Sequence, residues 1–282
     1  MMRGSVIINK MSIANIGYVK KSLGEIRAKK RFGQNFLIDV NIVDRIASIA
    51  CSPELKTIEI GPGLGALTEM LLKYSSEVDA YEIDRDMYAL LNEGIHDERL
   101  HVYLQDFLDV DLSRYKEEVN ICGNLPYYVT TPILFKIFES DLDFRKLTVM
   151  VQKEVSDRLH AQAGSEDYSA LSIEVQYLFD VKAEMNVSKE VFYPKPQVDS
   201  AVISFTSARE RDRAFEKSFF TFVKNCFRMR RKTLYNNLKD LYETEHIQKM
   251  FAGLQLDPSV RAQQLSLEEF LKIHACLEGE RP

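Results

Sequence analysis

The stretch Ile121–Phe135, ICGNLPYYVTTPILF, opens as an apolar strand and closes as an amphipathic helix. A strand that runs straight into a helix is the building unit of a parallel sheet. Between the two lies an unusual joint, Asn124, Leu125, Pro126 and Tyr127, where a plain glycine turn would serve. Working outward, the same β-then-α alternation continues on both sides. The runs 57–61 (TIEIG), 77–84 (EVDAYEID), 100–106 (LHVYLQD), 119–124 (VNICGN), 146–152 (KLTVMVQ), 181–187 (VKAEMNV) and 200–206 (SAVISFT) read as strands. Helical patterns such as ALTEMLLKYS and DMYALLNEGI separate them. The expected fold is therefore α/β, with a mostly parallel, Rossmann-like sheet covered by helices on both faces.

After residue 207 the strands stop. Phe219, Phe222, Val223, Cys226 and Phe227 repeat at helical spacing, and SLEEFLKIHACLE opens with Ser266 and carries Glu269 three residues on, a capping box. The expected organisation is a basic N-terminal arm at 1–30, a catalytic α/β domain at 31–207 and a small all-helical domain at 208–282.

Composition narrows the class. A hydrophobic fraction of 45% and a charged fraction of 28% exclude a disordered chain, and no apolar run is long enough to span a bilayer. The first residues lack the apolar core of a secretory signal, so a cytoplasmic protein is expected. Cys51, Cys122, Cys226 and Cys276 show no CxxC spacing and the five histidines do not gather with them. They read as reduced thiols, with no structural metal. The net charge is -5, yet eight Lys/Arg face one acid over 1–31, and ten face three over 209–239. Binding to a phosphate backbone responds to local charge, so two basic segments favour a nucleic-acid partner over solvated helix faces alone.

Three strand ends carry the groups a nucleoside needs. EIGPGLG places Gly61, Gly63 and Gly65 in one strand-to-helix turn, where backbone can turn tightly against a ligand. No GK[ST] follows and the spacing is not GxGxxG, which excludes a Walker loop and a pyrophosphate clamp. Glu82 lies 21 residues after Gly61, where nucleotide folds put the carboxylate that accepts from the ribose hydroxyls. Asp106 ends the next strand and suits the exocyclic amine of a bound adenine. A nucleoside without a diphosphate points to S-adenosylmethionine rather than a dinucleotide. Asn35 and Leu37, in KKRFGQNFLID, are candidates to close over its methionine end.

The Asn-Leu-Pro-Tyr joint suits methyl transfer to a base amine. That lone pair is delocalised into the ring and must be localised and aimed before it attacks a sulfonium methyl. The Asn124 side-chain oxygen and the Pro126 carbonyl are acceptors that can do this. Tyr127 offers a flat face to an extruded base. Phe192, in VFYPKPQVDSAV, is the candidate for the opposite face. Each of these residues alone reads as ordinary surface, turn or core; it is the polar asparagine ending an apolar strand that calls for function.

Together RFGQNFL, EIGPGLGALT, YEIDRD, QDFL, GNLPYYVTTPIL, VQKEVSDRL, FYPKPQVDSAV and RRKTLYNNL resemble the KsgA/Dim1 family of ribosomal RNA adenine N6,N6-dimethyltransferases, from Lys29 to the end. The resemblance implies cofactor contacts at Asn35, Leu37, Gly61, Gly63, Glu82, Asp106 and Asn124. It implies a target-base pocket of Asn124, Leu125, Pro126, Tyr127 and Phe192. It further implies dimethylation of two adjacent adenosines in a hairpin loop near the 3′ end of small-subunit rRNA, a helical C-terminal domain that docks on the small subunit or its precursor, and a role in subunit assembly. A monomer is expected. The sequence departs from the family pattern at Tyr128, where Asn is common, and at Thr131, where Ser is common. The rival readings are the macrolide-resistance methyltransferases of large-subunit rRNA, which share the motif, and a non-catalytic assembly factor.

Overall fold

The computed structural model describes residues 12–25 and 34–279. The rest of the expected basic arm, and residues 31–33 after it, lie outside the described residues. Within the arm, Ile16–Glu25 forms helix α1. It is followed by β1 (Phe36–Leu37) and by α2 (Val40–Ala50), which Asp39 caps by accepting from the Asn41 and Ile42 N–H groups.

The sheet then builds unit by unit: β2 (Thr57–Ile60), α3 (Ala66–Tyr74), β3 (Val78–Glu82), α4 (Arg85–Gly94), β4 (Leu100–Leu104), β5 (Val119–Asn124), α5 (Thr130–Glu139) and β6 (Phe144–Gln152). After α6 (Lys153–Leu159) and α7 (Ala170–Leu178) come β7 (Phe179–Val187), β8 (Phe192–Tyr193) and β9 (Ser200–Ser207). All seven long runs read as strands from the sequence are strands, in a seven-stranded sheet of order β4-β3-β2-β5-β6-β9-β7. The pairs β4·β3, β3·β2, β2·β5 and β5·β6 are parallel. Every residue of β2 and β3 is buried, as expected for central strands covered on both faces. The core between α2, α3 and the sheet is made by Val43, Ile46, Met70, Leu71, Val78 and Cys122.

This order reverses twice, at β2 and at the other edge, where β9 inserts between β6 and β7. From β2 the chain builds outward through β3 and β4, then returns to place β5 on the other side of β2. The crevice outside the carboxyl ends of β2 and β5 is therefore a topological switch point, where open α/β sheets bind ligands. Pairing of Ile60 with Gly123 sets Asn124 beside the start of the glycine turn.

The chain divides into two compact units, 1–153 with 183–204, and 154–182 with 205–282. The first holds the crevice. The second holds α8 (Arg213–Cys226), α9 (Leu234–Leu238), α10 (Thr244–Gly253) and α11 (Leu267–Glu278), and takes in α7 as well. Aromatic packing explains that inclusion: Tyr177 of α7 stacks on Phe215, centroids 5.7 Å apart, and leans on Phe219 at 5.2 Å. His274 of α11 closes the cluster against Phe215 and Phe219. The capping box read from SLEE is present, with Ser266 Oγ accepting from the Glu269 N–H and Glu269 Oε2 from the Ser266 N–H. No helix among the described residues is long and apolar enough to cross a membrane.

Candidate active site

A cavity fills the crevice at the switch point. Asn35, Leu37, Gly61, Gly63, Glu82, Asp106, Asn124, Leu125, Pro126 and Tyr127 all line it. Residues from five separate segments thus converge because the sheet brings four strand ends to one edge.

The glycine turn makes the first wall. Gly61, Gly63 and Gly65 have φ of 68°, 58° and 90°, the left-handed region that side chains avoid. At Gly63 a Cβ would also stand 3.1 Å from the Phe36 ring, so this backbone presents bare amide to the cavity. The Gly63 N–H donates to Glu82 Oε2 at 3.0 Å, and the Asp84 N–H donates to Glu82 Oε1 at 2.8 Å. Burial raises the Glu82 carboxyl above its usual range, and these two backbone bonds oppose the shift. Each oxygen keeps acceptor capacity for a second donor, which matches a ribose diol. Asp106 Oδ1 accepts from the Leu108 N–H at 2.9 Å, which orients the carboxylate at the end of β4.

The opposite wall is the Asn-Leu-Pro-Tyr joint. Asn124 Nδ2 donates to the Asn35 carbonyl at 3.0 Å. Only a nitrogen can face a carbonyl, so this contact fixes the amide and assigns Oδ1 the acceptor role. The Pro126 carbonyl, expected as the second acceptor, is already engaged. It accepts from the Val129 N–H at 3.1 Å and from Thr130 Oγ1 at 3.1 Å, closing the turn that starts α5. A carbonyl has two lone pairs, and both are used here. The Leu125 N–H extends the β5·β6 ladder to the Met150 carbonyl at 3.1 Å, while no donor among the described residues reaches the Leu125 carbonyl. The Tyr127 hydroxyl and Ser200 Oγ share a hydrogen bond of 2.8 Å. Burial pushes that phenol's pKa up, and the Ser200 bond works against the shift. Tyr128 also lines the cavity and is 55% exposed.

Phe192 departs from its expected place. It is 3% exposed, lies outside the cavity lining and packs in the core with Leu37, Val43 and Val187. The reason is register. In the short antiparallel pair of β1 and β8, Leu37 faces Phe192 and Phe36 faces Tyr193, and adjacent residues of a strand point to opposite sides. Leu37 and Phe192 pack in the core, where Leu37 alone of the two also reaches the cavity, while Phe36 and Tyr193 pack with Val19 and Leu64.

The structure adds lining residues that the sequence reading did not single out: Val19 of α1, Gln34, Phe36, Glu59, Tyr81, Ile83 and Phe107. Gln34 Nε2 donates to Asp84 Oδ2 at 3.0 Å, tying the segment before β1 to the end of β3. Ile83, exposed directly after Glu82, and Phe107, directly after Asp106, had a signal: each follows a strand-end carboxylate. Among the described residues no group of three or more His, Cys, Asp and Glu side chains is arranged to hold a metal ion.

The model of the family described as ribosomal RNA adenine dimethylase matches residues 25–278. The chain belongs to that family. Among its relatives, the ribosomal RNA small subunit methyltransferase A of Mycoplasmopsis pulmonis is 45% identical over 245 residues, covering 87% of this chain and 97% of that one. Two solved structures share the fold. The 23S rRNA methyltransferase ErmE aligns with a TM-score of 0.73 at 24% identity, over 86% of this chain and 99% of that one. A dimethyladenosine transferase from Plasmodium falciparum aligns with a TM-score of 0.71 at 24% identity, over 84% and 95%. Membership of the dimethylase family makes the chain an S-adenosylmethionine-dependent enzyme of ribosomal RNA. The cavity suits that cofactor: a buried carboxylate with spare acceptors for a diol, a left-handed glycine turn that brings backbone to the ligand, and an oriented acid at the end of β4.

Proposed function

We propose that this protein methylates the N6 amines of two adjacent adenosines in a hairpin loop near the 3′ end of small-subunit rRNA, twice each, within the small subunit or its precursor. The observation that carries this reading is the anchored amide of Asn124 beside the glycine turn. Bound S-adenosylmethionine supplies an electrophilic methyl on sulfonium sulfur. Asn35, Leu37, Gly61, Gly63, Glu82, Asp106 and Asn124 hold it. Asn124 Oδ1 takes one proton of the target amine in a hydrogen bond, and the Leu125 carbonyl, which no donor among the described residues reaches, takes the second. That pair pulls the lone pair out of conjugation and aims it. Tyr127, with its hydroxyl bonded to Ser200, presents its ring to the base. No strong base is needed, since the amine proton leaves to water once the methyl has bonded.

In the second round the amine has one proton, so one acceptor suffices and the first methyl must occupy the other position. Catalysis is assigned to 31–207, and the helices of 208–282, with their basic run, dock on the particle. The enzyme acts as a cytoplasmic monomer.

The test uses labelled S-adenosylmethionine with small and large subunits from a strain lacking the modification, followed by mapping of the labelled nucleoside. N6,N6-dimethyladenosine at adjacent positions in small-subunit rRNA is expected. Label confined to the large subunit would move the protein to the resistance group. Binding without label would leave an assembly factor.

A further inference from the structure

Glu59, in the second-last position of β2, is a buried acid to which the mechanism assigns no task. It is 1% exposed and lines the cofactor cavity. Its Oε2 is buried and has no hydrogen-bond partner among the described residues. Its surroundings come from three elements. Glu82 of β3 repels it, the Thr68 hydroxyl of α3 lies near enough to favour its charge but outside hydrogen-bonding geometry, and the Cys122 thiol of β5 is itself raised by it. Cys51, after α2, feels the same charge. None of the groups acting on Glu59 is a cation.

A carboxylate in such a place is costly, because burial removes water and nothing replaces it. Burial pushes the Glu59 carboxyl up to about 8. Two acids thus line one cavity, and they are unequal. Glu82 accepts two backbone N–H bonds, which favour its charged form, whereas Glu59 has none on Oε2. Of the pair, Glu59 holds the proton.

The methyl donor carries a sulfonium charge and an ammonium charge against one carboxylate, a net of one positive charge. Once the methyl has left, the thioether product is neutral overall. We propose that Glu59 sets the preference of this site for the charged methyl donor over its spent product, by giving a proton to solvent as the donor enters and taking one back when only the product remains. The balance is simple: Glu59–COOH becomes Glu59–COO⁻ plus a proton in bulk buffer, and the carboxylate offsets the incoming charge. In the water-poor cavity an uncompensated charge interacts far more strongly than in bulk, so one charge is enough to discriminate. This rests on the reading of the cavity as the S-adenosylmethionine site.

Calorimetric titration of the full-length protein tests it, with S-adenosylmethionine and with S-adenosylhomocysteine, in phosphate and in Tris at pH 7. The two buffers differ in ionisation enthalpy, so the difference in heat counts protons. Wild type should release about one proton with the donor and fewer with the product, and its donor affinity should fall about tenfold for each pH unit by which the pH is lowered from about 7.5. Glu59→Gln should lose that release, and its preference for donor over product should fall about tenfold or more. The ligands' own amino groups, near pKa 7.7–8.0 in unperturbed form, act alike in both proteins, so the difference isolates Glu59. Equal proton release in wild type and variant would overturn the proposal. If the variant does not fold, wild type alone decides, since equal release with donor and product overturns it too. A wild type that bound neither ligand would instead overturn the reading of the cavity, and the proposal with it.

Discussion

Replacing Asn124 by alanine separates the observed contact of its amide from the catalytic task we propose for it. Its Nδ2 donates to the Asn35 carbonyl at 3.0 Å, across a part-buried contact between the segment before β1 and the end of β5. Losing a neutral hydrogen bond of this kind costs about 1 kcal/mol of stability. For a protein of this size that is a fall of roughly 2–4 °C in Tm. Cofactor affinity should weaken by a similar free energy, about fivefold. The loss at Oδ1 is of another order, because that acceptor is held in place before the amine arrives. Removing one preoriented polar partner of a transition state typically costs about 100- to 1,000-fold in kcat. Single-turnover transfer from labelled S-adenosylmethionine at saturating cofactor, with the nucleoside product weighed, should show that deficit in both the first and the second methylation. Asn124→Asp sharpens the test. It keeps an acceptor but turns an oxygen towards the Asn35 carbonyl, so it should retain more of the rate than alanine while losing more stability. A kcat for the alanine variant within about threefold of wild type, or a defect that saturating cofactor abolishes, would refute the assignment.

Four further outcomes follow from the same geometry. Glu82→Gln replaces one acceptor facing a backbone N–H with a donor, and should weaken S-adenosylhomocysteine binding at least about tenfold by calorimetry, the scale of a lost charged hydrogen bond. Gly65→Ala forces a side chain onto φ of 90° with its Cβ 2.5 Å from Leu91 Cδ1, and should lower stability by about 1–3 kcal/mol in denaturant titration. Tyr127→Phe loses only the Ser200 bond and should stay within a few-fold of wild type, whereas Tyr127→Ala loses the stacking face, worth about 1–3 kcal/mol per base, and should raise KM for the subunit accordingly. Glu59 binds its proton more tightly folded, up to about 8, than an unfolded glutamic acid does at about 4.3. The folded state therefore holds more protons between those values, and cofactor-free stability should fall as pH rises through that window; Glu59→Gln should flatten the slope in thermal melts.

The parts of the molecule legible in the sequence are those set by local pattern. Buried central strands read as apolar runs, a left-handed turn reads as glycine, and carboxylates at strand ends read as ligands of a nucleoside once their order along the chain is known. What escaped depends on partners distant in sequence. Phe192 reads as a base contact because it is aromatic and lies in a proline-rich loop, but its direction is set by pairing with Leu37, and a one-residue difference in that register would exchange it with Tyr193. The Pro126 carbonyl reads as an acceptor for the amine because proline stiffens the joint, yet the same stiffness delivers that carbonyl to Val129 and Thr130 of the following turn. Val19 joined the cavity through the apolar face of α1, inside a segment that reads first as basic arm.

Glu59 escapes the sequence for a different reason. A carboxylate inside an apolar strand is as visible in TIEIG as the asparagine is in ICGN, and the two stand at the ends of neighbouring strands. The asparagine reads as chemistry because its amide has an evident use in holding an amine. The glutamate has no such use until its burial and its orphaned oxygen are known. A polar residue that ends or interrupts a buried strand at a switch point therefore asks the same question whichever chemistry it carries: which charge or proton, absent from the protein itself, makes its burial tolerable. For Asn124 the answer we propose is a base amine. For Glu59 it is the charge that the methyl donor brings in and the product no longer has.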